Sequence, residues 1–135
     1  MNIRINYIPH AKQRYETVGD WYYEMDSLDP LCTEPQEVLV INVSNDHPDY
    51  PTADEQFLVA LHELIEVTLC RKRGITQEQV DDFDMMQLGS MHAKYIDDEP
   101  GDHYDAPYRH EHRFACLLEH LMAHEMGITG YGVVR

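Results

Sequence analysis

The chain has 135 residues, with 10 Lys and Arg against 25 Asp and Glu, for a formal net charge of −15 at pH 7. That length fits a single domain, residues 1–135, with room for one core and one site. The charge argues against direct binding to nucleic acid, which needs a basic surface, and favours neutral or basic partners at encounter. No apolar run approaches the roughly 20 residues that span a bilayer, so no membrane association is expected. Met1 to His10 predicts no secretory signal. Cys32, Cys70 and Cys116, odd in number and widely spaced, read as reduced core residues of a cytoplasmic protein.

Ile3, Ile5 and Tyr7 alternate with Asn2, Arg4 and Asn6, the period of a strand with one face on a core, and Pro9 ends it. From Tyr15 to Glu24, β-prone residues flank Gly19-Asp20, a pair suited to a tight turn, which predicts a short hairpin. Val38 to Val43 is β-branched and almost continuously apolar, as expected of a strand covered on both faces. Residues 44 to 53 form a polar, proline-containing loop, after which Thr52 and Glu55 make a capping box and start a helix near Ala53. Arg71, Lys72 and Arg73 suit its C-terminus, and Gly74 stops it.

A second capping pair, Thr76 and Gln79, predicts a helix that ends near Ser90 and buries Val80, Phe83, Met86 and Met91. The acidic Pro-Gly segment from Asp97 to Ala106 reads as a solvated loop. Pro107 then opens a third helix, with Phe114, Leu117, Leu118, Leu121 and Met122 at core spacing before Gly127. The expected fold class is α+β: a small N-terminal antiparallel or mixed sheet of three to four strands packed on three helices.

The first helix carries the chemistry. His62, Glu63 and Glu66 interrupt a nearly unbroken apolar run from Phe57 to Cys70, where an unpaired carboxylate is costly and needs a partner. His62 and Glu66 are four apart and share a helix face, with Glu63 about 100° around from His62. That is the geometry of two metal ligands beside a carboxylate, an HExxE variant of the HExxH zinc motif in which the Glu is general base. The bland alternative is a buried hydrogen-bonded network without metal.

A catalytic site needs three protein ligands and an open position. The third is sought in Tyr108-Arg109-His110-Glu111-His112-Arg113. Periodicity aligns His110 with Phe114, Leu117 and Leu121, and Glu111 with Ala115, Leu118 and Met122, whereas His112 groups with Ala115, Cys116 and Glu119 at the edge of that face. On this ground periodicity slightly favours His110 or Glu111 as the ligand, with His112 still open. His120 and His124 read as exposed histidines near a helix C-terminus, where positive charge is favoured. Asp81, Asp82 and Asp84 suit a helix N-terminus, and Asp84 is placed to orient a ligand histidine. With metal bound, Glu63 serves as general base for hydrolysis, and Tyr108 is one candidate to stabilise the oxyanion.

The order of a strand, a helix bearing His62-Glu63-Leu64-Ile65-Glu66 and further helices with a downstream ligand resembles a minimal zincin. Zincin metallopeptidases carry HExxH followed by a third His, Glu or Asp; here Glu66 stands where the family has its second histidine. The chain also resembles small prokaryotic and phage proteins that share Gly19-Asp20-Trp21, a His-Glu-Leu-(Ile/Val)-Glu helix, Val80-Asp81-Asp82-Phe83-Asp84, and Ala106-Pro107-Tyr108 followed by Glu111-His112 and Ala115, a group that brings no established activity. This second likeness implies His112 as third ligand, ahead of His110 and Glu111.

The resulting expectation is a small metal-dependent hydrolase acting on a peptide or protein. Its ligands are His62, Glu66 and His112, its general base is Glu63, and Asp84 and Tyr108 stand behind them. The ion is Zn2+, with Mn2+ or Fe2+ as alternatives because Glu in place of His hardens the donor set. The competing expectation is a non-catalytic metal-binding or interaction protein, for instance a phage or host-defence modulator, that keeps a zincin-like frame and binds a basic protein partner.

Overall fold

The computed structural model describes residues 2–26, 31, 34–88 and 99–131. Three strands, β1 (Asn2–Ile8), β2 (Gly19–Asp26) and β3 (Gln36–Ser44), join three helices, α1 (Ala53–Lys72), α2 (Gln77–Leu88) and α3 (Arg109–Glu125), in an α+β fold. The sheet is mixed, in the order β1-β3-β2, with β1 parallel and β2 antiparallel to β3. Expectations that fall on Cys32, Ser90, Met91 and Asp97 lie outside the described residues. Among the described residues no helix is long and apolar enough to cross a membrane.

The apolar run from Val38 makes β3 the central strand, buried from Val38 to Ser44. On one face Leu39, Ile41 and Val43 pack with Val59, Ala60 and Val67 of α1 and with Trp21. Across the other face Arg4 on β1 reaches to Glu24 and Asp26 on β2, and Asn42 is tied to Asn6 and Tyr22. Because Arg4 pairs in register with Val40, its ion pairs lie over the middle of β3.

These ion pairs correct the reading of β1. Its apolar side chains Ile3, Ile5 and Tyr7 are the exposed ones, while Arg4 and Asn6 are half-buried. Alternation identifies the two faces, but the polar face is the one that closes over β3. The hairpin expected between Tyr15 and Glu24 is also absent: Gly19 and Asp20 open β2, and Asp20 is held by Arg14.

Both capping boxes form. Glu55 N–H donates to Thr52 Oγ1 at 3.2 Å, Gln79 N–H donates to Thr76 Oγ1 at 3.2 Å, and Thr76 N–H donates to Gln79 Oε1 at 2.9 Å. Gly74, at φ 74°, takes the left-handed conformation that ends α1. In α2, Val80 and Phe83 are buried in the core as expected, but Met86 is 59% exposed.

Helix α3 runs antiparallel to α1: Ala123 packs with Leu58, Glu119 bonds His62, His112 bonds Glu66 and Glu111 bonds Arg73. Its buried face is Glu111, His112, Ala115, Glu119 and Ala123, whereas Phe114, Leu117 and Leu121 point outward. The expected core face of this helix is therefore inverted, since its polar side chains find partners on α1 and its large apolar ones do not. The segment before α3 is not simply solvated either. It holds a short 3-10 turn, Pro100–Asp102, whose Pro100 and Gly101 are buried against α3.

Candidate functional site

His62, Glu63 and Glu66 lie on the inner side of α1, where the spacing of four sets His62 and Glu66 together facing α3 and turns Glu63 toward β2. His112 enters from α3. His62 Nε2, Glu66 Oε2 and His112 Nδ1 form a triangle with sides of 3.1, 3.2 and 2.9 Å, and all three residues are buried. Nitrogen or oxygen donors at roughly 2.0–2.1 Å from a tetrahedral zinc stand roughly 3.3 Å apart, so these three atoms sit close to the spacing of one face of a coordination tetrahedron.

The outer nitrogens explain why the inner ones converge. His62 Nδ1 lies 2.8 Å from Glu119 Oε1, and His112 Nε2 lies 3.2 Å from Asp102 Oδ1. An ionised carboxylate only accepts, so each of these nitrogens carries the proton. In the neutral imidazoles that leaves lone pairs at His62 Nε2 and His112 Nδ1, both aimed at a carboxylate oxygen. In that neutral state three acceptors face one another with no proton among them, a conflict that either protonation of the imidazoles or a bound cation would relieve. Carboxylates on the outer nitrogens of metal-binding histidines serve the same purpose, fixing tautomer and ring orientation.

The electrostatics point the same way. Burial opposes a charged His62, but hydrogen bonds to Cys116, Glu119 and Glu66 outweigh it and raise its pKa well above the ordinary value. His112 is raised likewise, burial being overcome by Asp102, Cys116 and Glu66. Glu66 is lowered to about 2, because the bonds from His112 and His62 outweigh its burial. Protons on the histidines supply the positive charge that the cluster needs when nothing else does.

Glu63 differs from its neighbours. It is buried, it has no hydrogen-bond partner among the described residues, and burial followed by repulsion from Glu66 pushes its pKa well up. It lines a polar cavity of about 20 Å3 together with Glu66, His112, Asp84 and Tyr108. That is room for about one water molecule. The carboxylate lies so close to Gly19 that a Cβ there would stand 2.4 Å from Glu63 Oε1, and a Cβ at Gly101 would stand 2.5 Å from the His112 ring.

Other side chains complete the surroundings. Trp21 Nε1–H donates to Glu66 Oε1 at 3.1 Å, which leaves Oε2 for the histidines. The Tyr131 hydroxyl donates to Glu119, so a chain of bonds runs from the described C-terminal end into His62. Cys116 Sγ lies 3.6 Å from His112 Nε2 and 3.8 Å from His62 Nδ1, so His62, His112 and Cys116 form a second, softer donor set. Cys116 would bind through the two nitrogens already held by Asp102 and Glu119, whereas Glu66 faces the two that are free.

Of the expected ligands, the structure brings together His62, Glu66 and His112. The alternatives lie elsewhere: His110 is exposed, and Glu111 is buried against Arg73, with Nη1 2.5 Å from Oε2. Asp84 does not orient a histidine. It accepts from the Tyr108 hydroxyl at 2.5 Å, and the Tyr108 ring stands edge-on to His112. His120 and His124 are exposed. Sequence reasoning gave no role at the site to Glu119, Asp102, Cys116, Gly19 or Gly101. For Cys116 and Glu119 the signal was present, since they follow His112 by four and seven residues on one helix face.

Comparison of the chain with protein-family models, curated proteins and solved structures finds no match, so the geometry alone supports a function.

Proposed function

We propose that this protein binds a divalent metal ion on His62, Glu66 and His112 and hydrolyses amide bonds in a peptide or protein, with Glu63 as general base. The observation that carries the reading is the convergence of His62 Nε2, Glu66 Oε2 and His112 Nδ1 at 2.9–3.2 Å, with the outer imidazole nitrogens held by carboxylates. Two imidazoles and one carboxylate are a zinc donor set, and they also suit Mn2+ and Fe2+. A bound ion of this kind supplies Lewis acidity, polarising a carbonyl and lowering the pKa of water toward neutrality.

The chain's own residues supply the proton transfers. Glu63 stands unpaired at the cavity beside Glu66; burial and Glu66 hold its pKa up, and the positive charge of a bound ion would favour its ionised form. It then takes a proton from the attacking water and delivers it to the leaving nitrogen. Tyr108 lines the same cavity, but its hydroxyl proton is committed to Asp84.

The test is metal analysis of protein purified without a histidine tag, followed by a peptide-hydrolysis assay of wild type and Glu63→Gln. About one equivalent of metal, and hydrolysis lost in Glu63→Gln with metal retained, support the reading. Less than about a tenth of an equivalent after reconstitution overturns it.

A second reading, a metal-binding protein without catalysis, is favoured by closure of the site. The cavity holds about 20 Å3, and closed sites are those of structural zinc. Stoichiometric metal with no hydrolysis of any peptide is the result that selects it.

A further inference from the structure

Ten Lys and Arg share this chain with 25 Asp and Glu, and most of the described arginines are neutralised. Arg4 is paired with Glu24 and Asp26, Arg14 with Asp20 and Asp81, Arg71 with Glu37, and Arg73 with Glu111. Arg109 and Arg113 are the exceptions. Among the described residues neither guanidinium has an ion pair or a hydrogen bond.

Both stand where a cation is disfavoured. Arg109 is the first residue of α3 and Arg113 follows one turn later, so two like charges four apart are neighbours on the helix surface and repel. They also lie near the positive end of the helix dipole, which favours anions. Arg109 is half-buried, and its Nε–H is shielded from solvent with no acceptor, a donor that burial ordinarily requires to be satisfied. One bound anion relieves all three.

The surroundings have room for it. Arg109 and Arg113 border an open cleft of about 590 Å3, within the roughly 300–1,000 Å3 of small-ligand sites. Phe114 and Leu117, 41% and 54% exposed, line the same cleft and add an apolar wall. Glu111 borders it too, but that carboxylate is bound to Arg73. The donors of an arginine form a planar fork that fits the oxygens of a carboxylate or a phosphate, and the apolar pair fits a hydrocarbon group attached to them.

We propose that this cleft binds a small amphipathic anion, with its carboxylate or phosphate oxygens on Arg109 and Arg113 and its hydrocarbon part on Phe114 and Leu117. None of the residues that border it lines the cavity at Glu63, so the site is separate from the candidate metal centre and does not depend on it. The net charge of −15 slows the approach of an anion, an effect that salt screens.

Nuclear magnetic resonance of the full chain, labelled with 15N and followed at the arginine Nε–H signals, tests the proposal at a constant ionic strength of about 0.15 M. The probes are 4-methylpentanoate, isopentyl phosphate, inorganic phosphate and the neutral 4-methylpentanamide. The Arg109 Nε–H signal should shift saturably with 4-methylpentanoate or isopentyl phosphate, and the tighter of the two names the anion class. Arg113→Gln and Arg109→Gln should each weaken that binding about tenfold or more, the loss of one hydrogen bond to a charged group. Arg113 is exposed, so its variant keeps the test open even if Arg109→Gln fails to fold. The proposal is overturned by no saturable shift up to about 50 mM of either tailed anion, by equal binding of the amide or of inorganic phosphate, or by binding that Arg113→Gln leaves unchanged.

Discussion

His62 Nε2 lies 3.2 Å from His112 Nδ1, although 50 residues separate the two histidines, and both nitrogens approach the same oxygen of Glu66, at 3.1 and 2.9 Å. Two imidazole nitrogens this close cannot both carry protons without repulsion, and the carboxylates behind them place the neutral-state protons on the far side of each ring. A bound cation, as in the proposed function, would relieve that conflict.

The first prediction separates the two donor sets that share these histidines. Glu66→Gln replaces a charged ligand with a neutral one and should weaken zinc binding by more than about 100-fold, beyond the roughly 10–100-fold that outer partners carry. Cys116→Ser should change it less than about threefold, because the thiol faces the two nitrogens held by Glu119 and Asp102. Titration with a competing zinc chelator reads both. The reverse order of effects would assign the ion to Cys116.

Much of this site was legible in the sequence, and the failures have a common cause. The capping boxes at Thr52 and Thr76 are local chemistry and form as read. Of the three ionisable groups inside the apolar run of α1, His62 and Glu66 have the partners that burial demands, whereas Glu63 lines the small cavity instead. Periodicity identified the faces of β1 and α3 but not which face meets the rest of the molecule. In β1 the ion pairs of Arg4 close over β3, and in α3 the buried face is made of Glu111, His112 and Glu119. His112 stood at the edge of the apolar face, so only a resemblance ranked it first. Gly19 looked like a turn residue because a close approach by Glu63, across 44 positions of chain, leaves no local trace.

The bond from His62 Nδ1 to Glu119 gives a second prediction. Glu119→Gln removes the charge that holds the imidazole and should lower metal affinity about 10–100-fold, the range for such outer partners. Tyr131→Phe removes only a neighbour of Glu119 and should cost less than Glu119→Gln. A metal-binding isotherm at fixed pH checks the order. Equal and negligible effects would show that His62 is positioned by packing alone.

Two glycines allow a stability effect to be told apart from a functional one. An alanine at Gly101 would place its Cβ 2.5 Å from His112 Cγ, near the stiff base of the ring, so the ring or the Pro100–Asp102 turn must move. Gly101→Ala should destabilise by about 1–3 kcal/mol, as overpacking does, and weaken metal binding as well. At Gly19 the nearest atom is the mobile end of Glu63, at 2.4 Å, with Val59 Cγ1 next at 2.8 Å. Gly19→Ala should therefore retain metal while displacing the base, which is read as intact metal content with reduced hydrolysis.

Asp84 makes the stability of the fold depend on pH in a calculable direction. Burial raises its pKa from 3.8 to about 7, against the hydrogen bond from Tyr108, which favours the ionised form. An acid whose folded pKa is raised holds its proton in the folded state and loses it in the unfolded one. Its contribution is therefore most favourable below the unfolded pKa, falls as pH rises from about 4 to about 7, and is constant above that. Asp84→Asn keeps an oxygen to accept from Tyr108 but cannot ionise. Urea unfolding in the presence of a chelator should show the variant matching wild type near pH 4 and exceeding it near pH 8, with the gap opening across the interval between. Parallel curves over that interval would mean that Asp84 ionises in the folded protein as readily as in the unfolded one, and that the cavity it shares with Glu63 is better hydrated than its volume of about 20 Å3 implies.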